Sequence, residues 1–112
     1  MTKWLTLALA LFSFDLLSAT KEAELTLKDH VFVPEILYLP ANTKVKLIIN
    51  NLDDSIEEFD SFDLNREKVL FPKRKTILFI SPLKPGEYEF FGEYHPHTAK
   101  GKIVVKEANN AN

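Results

Sequence analysis

The chain has no cysteine, and the single methionine among its 112 residues is Met1. The missing thiol excludes disulfides, so a small exported domain would have to stand on its core alone. It also excludes thiolate zinc sites, iron–sulfur clusters, cysteine nucleophiles and any copper centre built on a short Cu–S bond. Glycine is scarce, at three residues. No glycine-rich phosphate loop, G-x-S-x-G elbow or paired-histidine helix motif is present, which leaves nucleotide binding and hydrolysis without support. Neither charge sign dominates: 14 basic against 16 acidic residues give a net charge of −2. Nothing in that balance pulls the chain toward nucleic acid or an anionic membrane. What is abundant is aromatic: nine Phe, three Tyr and one Trp. A short chain can build a dense core from these.

The one long apolar run is Trp4 to Phe14, interrupted by Thr6 and Ser13. It falls short of the roughly 20 residues a membrane span needs. With Lys3 before it and Leu17-Ser18-Ala19 after it, residues 1–19 read as a secretory signal cleaved after Ala19. An uncleaved N-terminal anchor is the alternative, since Asp15 and Leu17 are unusual in a signal. No cysteine follows to carry a lipid. The expectation is an exported, periplasmic protein, free of the membrane once cleaved, with a single domain over residues 20–112.

That domain reads as short strands. Apolar and polar residues alternate in Ala23–Lys28, Lys44–Ile48 and Glu87–Phe90. Lys75–Ile80 and Lys102–Lys106 are further strands, the latter with Ile103, Val104 and Val105 buried. Ile36–Leu39 is a weaker one. Pro34, Pro40, Pro72, Pro82 and Pro85-Gly86 punctuate the runs, and Asn50 to Ser55 reads as a polar loop. About seven strands predict an all-β antiparallel Greek-key sandwich. The tail from Ala108 to Asn112 is expected to fray.

Two stretches carry chemistry. Asp53 to Asp63 holds Asp53, Asp54, Glu57, Glu58, Asp60 and Asp63 with no basic residue. Such a run is either a solvated loop or a set of oxygen donors for a hard or borderline cation. Within it, Phe59 should anchor inward and leave Glu58 and Asp60 together on the other face. The second stretch is Gly92 to Gly101, with His95 and His97. If it is extended, Glu93 and His95 share one side. Imidazole is a common metal ligand, and these are also ordinary loop residues. His30, alone beside an apolar strand, reads as structural. Lys73-Arg74-Lys75 reads as a solvated turn or a dock for an acidic partner.

Three stretches together resemble a cupredoxin. They are Phe32-Val33-Pro34 with Leu39-Pro40-Ala41 and Lys44 to Asn51; Leu83 to Phe90; and Gly92-x-x-His95 followed by Gly101 to Val105. The resemblance covers about residues 24–106. Matched position by position, a blue-copper ligand set would fall on Glu57 or Glu58, on Gly92 for the Cys, on His95, and near Ala99 for the Met. Only one ligand of four survives, so the resemblance does not imply electron transfer. Glu58-Phe59-Asp60-Ser61, Arg66-Glu67-Lys68-Val69, Gly92-Glu93-Tyr94-His95 and Thr98-Ala99-Lys100-Gly101 are similar to a narrower group. These are small periplasmic cupredoxins of bacterial ferrous-iron uptake, related to the cupredoxin-like domain of the EfeO component. This implies a monomer that binds iron or copper and works beside an iron permease or another uptake component. Glu58 and His95 lead as ligands, followed by Glu93 and Glu67, with Asp60 and His97 as direct ligands or supports. A metal-free interaction module is the alternative. An oxidase is disfavoured, because one mononuclear site without an electron relay handles multi-electron chemistry poorly.

Overall fold

The computed structural model describes residues 20–107. The signal segment expected at 1–19 and the tail from 108 onward lie outside the described residues. Nine strands follow one another, and no helix is present among the described residues. They are β1 (Lys21–Lys28), β2 (Val31–Val33), β3 (Ile36–Pro40), β4 (Val45–Asn51) and β5 (Glu57–Ser61), then β6 (Arg66–Leu70), β7 (Arg74–Ile80), β8 (Gly86–Gly92) and β9 (Lys100–Lys106). One sheet has the order β2-β1-β4-β7 and the other β3-β9-β8-β5-β6.

The all-β sandwich expected from the alternation is present, with two refinements. The described residues form nine strands rather than about seven, and both sheets are mixed, because β1 runs parallel to β4 and β3 parallel to β9. The cause is one crossing. The chain turns back as β2, passes to the other sheet as β3, then returns as β4 beside β1. A parallel neighbour needs such a crossover, and here it runs through the facing sheet.

Alternation places the core between the sheets. Leu25, Leu27, Val45, Leu47, Ile49, Leu78 and Ile80 face inward from one sheet, and Leu37, Leu39, Phe59, Leu70, Phe90, Ile103 and Val105 from the other. Val104 is half-buried rather than buried, since period two turns it to the opposite face. Phe59 and Phe90 stack at 5.3 Å between centroids, and Phe32 meets both edge-on. This aromatic cluster holds β5 against β8, whose register sets Phe59 opposite Gly92 and Asp60 opposite Phe91.

Candidate functional site

Strand β5 decides where the acids go. Glu57, Phe59 and Ser61 face the core, while Glu58 and Asp60 face outward, as the inward anchoring of Phe59 predicts. Opposite Asp60 stands Glu67 on β6, and direct cross-strand partners share a face. Glu93 extends the outward side of β8, with its backbone N–H donating to the Glu58 carbonyl at 2.9 Å. Four carboxyls, Glu58, Asp60, Glu67 and Glu93, thus gather on the outer surface of β5, β6 and β8.

They repel one another. Partial burial raises the Glu58 carboxyl above its ordinary value. A hydrogen bond shared with Glu67 and the charges of Glu67, Asp60 and Glu93 raise it further. Glu93 is raised first by a hydrogen bond shared with Asp60, then by desolvation and by the charges of Asp60, Glu67 and Glu57. Asp60 is only 8 % exposed. Among the described residues none of the four forms an ion pair. Nor do any three His, Asp or Glu side chains among the described residues stand in an arrangement able to hold an ion.

His95 does not join them. The chain leaves the extended conformation after Gly92, so Glu93 and His95 do not share a side as expected. The His95 backbone N–H donates to the Gly92 carbonyl, and the Thr98 and Ala99 N–H groups donate to the His95 carbonyl. This tight turn carries the imidazole inward. There its Nδ1–H donates to Glu57 Oε2 at 3.0 Å. His97 remains exposed on the same turn.

Glu57 is 1 % exposed, and its carboxylate is fully engaged. Oε1 accepts the backbone N–H of Tyr94 at 2.8 Å and that of Glu58 at 2.9 Å. Gly92 lies against it: a Cβ there would fall 2.7 Å from the Glu57 carboxyl carbon and 2.8 Å from the Ala99 Cβ. A glycine is what lets the backbone approach so closely.

His30 also reaches this end. Its ring stacks on His95 with centroids 3.6 Å apart and planes 12° from parallel. Asp29 and His30 form the two-residue β1–β2 turn, both at positive φ (53° and 62°). Asn-Gly is the usual signal for such a turn. Here Asp53 holds the conformation, accepting the Asp29 N–H at 2.6 Å and the His30 N–H at 3.0 Å. Burial pushes the Asp53 carboxyl up, but these two N–H groups and the charges of His30 and Lys73 outweigh it, and the group sits below its ordinary value. Asn51, fully buried, braces the same loop. Its amide donates to the Ser55 and Leu70 carbonyls, and its oxygen accepts the Asp53 N–H. Lys73 meets the acidic run from the other side, with its ammonium 2.6 Å from the Leu52 carbonyl and 3.5 Å from Asp54. The basic turn therefore docks on an acidic loop of its own chain.

The sequence matches the cupredoxin-like domain over residues 3–105. The chain belongs to that family. It is 51 % identical over 86 residues to an uncharacterised protein of Rickettsia prowazekii (strain Madrid E), covering 77 % of this chain and 69 % of that protein. Among solved structures, the metal-binding domain of the Streptococcus pneumoniae Cu(I)-exporting P-type ATPase CopA, with Cu(I), superposes with a TM-score of 0.68 at 12 % identity. The match covers 77 % of this chain and 85 % of that one. Auracyanin A, a blue copper protein of Chloroflexus aurantiacus, gives 0.67 at 11 % identity, over 79 % and 100 % of the two chains. The periplasmic domain of cytochrome oxidase subunit II of Bradyrhizobium japonicum gives 0.66 at 13 %, over 79 % and 85 %. At these identities the likeness is one of fold. Among the described residues of this cupredoxin-like chain, no helix is long and apolar enough to cross a membrane.

Proposed function

We propose that this cupredoxin-like protein acts in the periplasm as a metal-binding accessory of ferrous-iron uptake, taking iron, or copper in its place, and is not a blue-copper electron carrier. The observation that carries the reading is the outer group of Glu58, Asp60, Glu67 and Glu93, four carboxyls that form no ion pair among the described residues and whose crowding raises Glu58 and Glu93. The four do not converge on one point as they stand, so a cation would have to draw them together. Once bound it would remove that repulsion, and an all-oxygen set prefers iron to soft Cu(I). Copper stays as the second metal because fold relatives such as the CopA domain hold Cu(I). His95 and His97 lie on the turn that follows Glu93 and would take part only if that turn moved. The resemblance to the ferrous-iron uptake group supplies the biological setting and the expected neighbour, an iron permease or a similar component.

The test is calorimetric titration of the purified protein with Fe(II) under argon, with Mn(II) and with Cu(II), repeated on Glu58→Ala, Glu93→Ala and His95→Ala. Iron affinity should fall at least tenfold in the two Glu variants and little in His95→Ala. Unchanged affinity in both Glu variants would remove the assignment.

One observation favours a second reading, a metal-free docking module. The Glu57 carboxylate already ties the loops at the His95 end through three hydrogen bonds, so that end needs no ion to be ordered. A ligand that binds only the native state must raise the melting temperature. A melting curve unmoved by every metal would select this reading.

A further inference from the structure

The four positions that the cupredoxin resemblance matches to a blue-copper ligand set meet at one point, and a carboxylate fills it. Glu57 stands at the first position, and its Oε2 accepts from His95 at the third. Its carboxyl carbon and Oε2 lie 2.7 Å from where a Cβ would project at Gly92, the second, and the Cβ of Ala99, the fourth, is 2.8 Å from that same point. A copper centre of the family's kind does not fit the residues present. The thiolate and thioether are gone, and the space they would share is taken.

We propose that Glu57 is this chain's own replacement for the ion at the loop end of the fold, and the residue that closes this position to metal. A coordinated ion would join the start of β5 to the β8–β9 loop. The Glu57 carboxylate makes the same connection with three N–H donors, one on β5 and two on the loop, at 2.8 to 3.0 Å. An ionised carboxylate only accepts, so His95 carries a proton on Nδ1. The inward nitrogen is therefore occupied. Gly92 is required by the same arrangement, because any side chain there would strike the carboxylate. The Ala99 Cβ, 2.8 Å from the same point, must also shift in any variant enlarged at Gly92.

The proposal holds whatever the outer carboxylates bind. The full-length protein is compared with Gly92→Cys and with the triple variant Glu57→His, Gly92→Cys, Ala99→Met, each loaded with Cu(II). The triple variant should gain an intense visible thiolate-to-copper absorption. Gly92→Cys alone should show none and should unfold at lower denaturant. Such a band in Gly92→Cys alone, or its absence in a triple variant with native near-ultraviolet dichroism, would overturn the proposal. If the triple variant does not fold, nitrogen-detected NMR of the unaltered protein decides. Saturating Zn(II) should leave the His95 Nδ1–H signal and its tautomer unchanged. Loss of that proton with a shift of Nδ1 would show that metal displaces Glu57. Failure of iron to bind anywhere would remove the proposed function and leave this result standing.

Discussion

One buried acid and a group of outer acids lie on either side of one strand and behave oppositely. Inward, Glu57 is 1 % exposed and accepts from three donors. Outward, Glu58 and Asp60 face Glu67 and Glu93 with no cationic partner among the described residues, and the carboxyls of Glu58 and Glu93 are held above their ordinary value. Adjacent residues of the same type therefore differ in what they do for the fold. The inner acid is a structural tie, because its desolvation is matched by hydrogen bonds. The outer acids cost stability wherever they are ionised together, and proteins carry such costs chiefly at sites that bind something.

Removing the inner acid should have the largest effect. Glu57→Ala leaves the Tyr94 and Glu58 N–H groups and His95 Nδ1 without their acceptor and opens a cavity beside Gly92. Unmet buried donors and a void together cost about 2–4 kcal/mol. Urea denaturation at neutral pH should show that loss. Gly92→Ala should also destabilise the protein, but by less in the Glu57→Ala background than alone, since the clash with the carboxyl is then gone. Simple additivity would show that the two sites are independent.

The outer group was legible in the sequence because its logic is that of a strand. A bulky Phe59 anchors inward, and its neighbours must then point out. The same parity turns Glu57 inward with Phe59. What hid this is that a charged residue at a core position contradicts the alternation that identifies a strand. The same contradiction left β5 inside an acidic run that reads either as a solvated loop or as a set of oxygen donors. Strands β2 and β6 were missed because three residues, and a mostly exposed edge strand beginning Arg-Glu-Lys, carry little apolar signal. His30 was hidden for another reason. Its turn has positive φ at two non-glycine residues, and the support comes from Asp53, 23 residues away along the chain. Local pattern does not register a side chain that caps a distant turn. The β8–β9 loop was misread for a related reason, because the turn after Gly92 depends on the Glu57 carboxylate.

Asp53 offers an intermediate test, since it is a satisfied acid like Glu57 but nearer to solvent. Replacing it with Ala should cost about 1–3 kcal/mol, from the lost acceptor of two N–H groups in a strained turn. The pH dependence has a definite sign. Its folded value is lowered, so the native state binds the proton less readily than the unfolded chain. Its stabilisation is complete above the unfolded value near ~4 and is lost as pH falls through the lowered folded value. Denaturation of the unaltered protein and of Asp53→Ala across that range should give a stability gap that narrows with acid. A constant gap would mean that Asp53 acts through packing alone.

The smallest effect, and the one of opposite sign, belongs to the outer face. Glu58 and Glu93 have raised folded values, so the native state holds their protons more tightly than the unfolded chain does. Stability contributed this way is fully present below the unfolded value of about 4.3 and declines as pH rises through the raised folded value. At neutral pH each ionised group is therefore a liability, and Glu58→Gln or Glu93→Gln should raise the melting temperature by a few degrees. The gain should vanish at about pH 3, where the carboxyls are protonated in both states. Melting curves of the metal-free proteins at the two pH values test this directly. A Glu58→Gln variant that melts lower at neutral pH would mean that the outer acids are as well satisfied as Glu57. The contrast across β5 would then be one of burial alone.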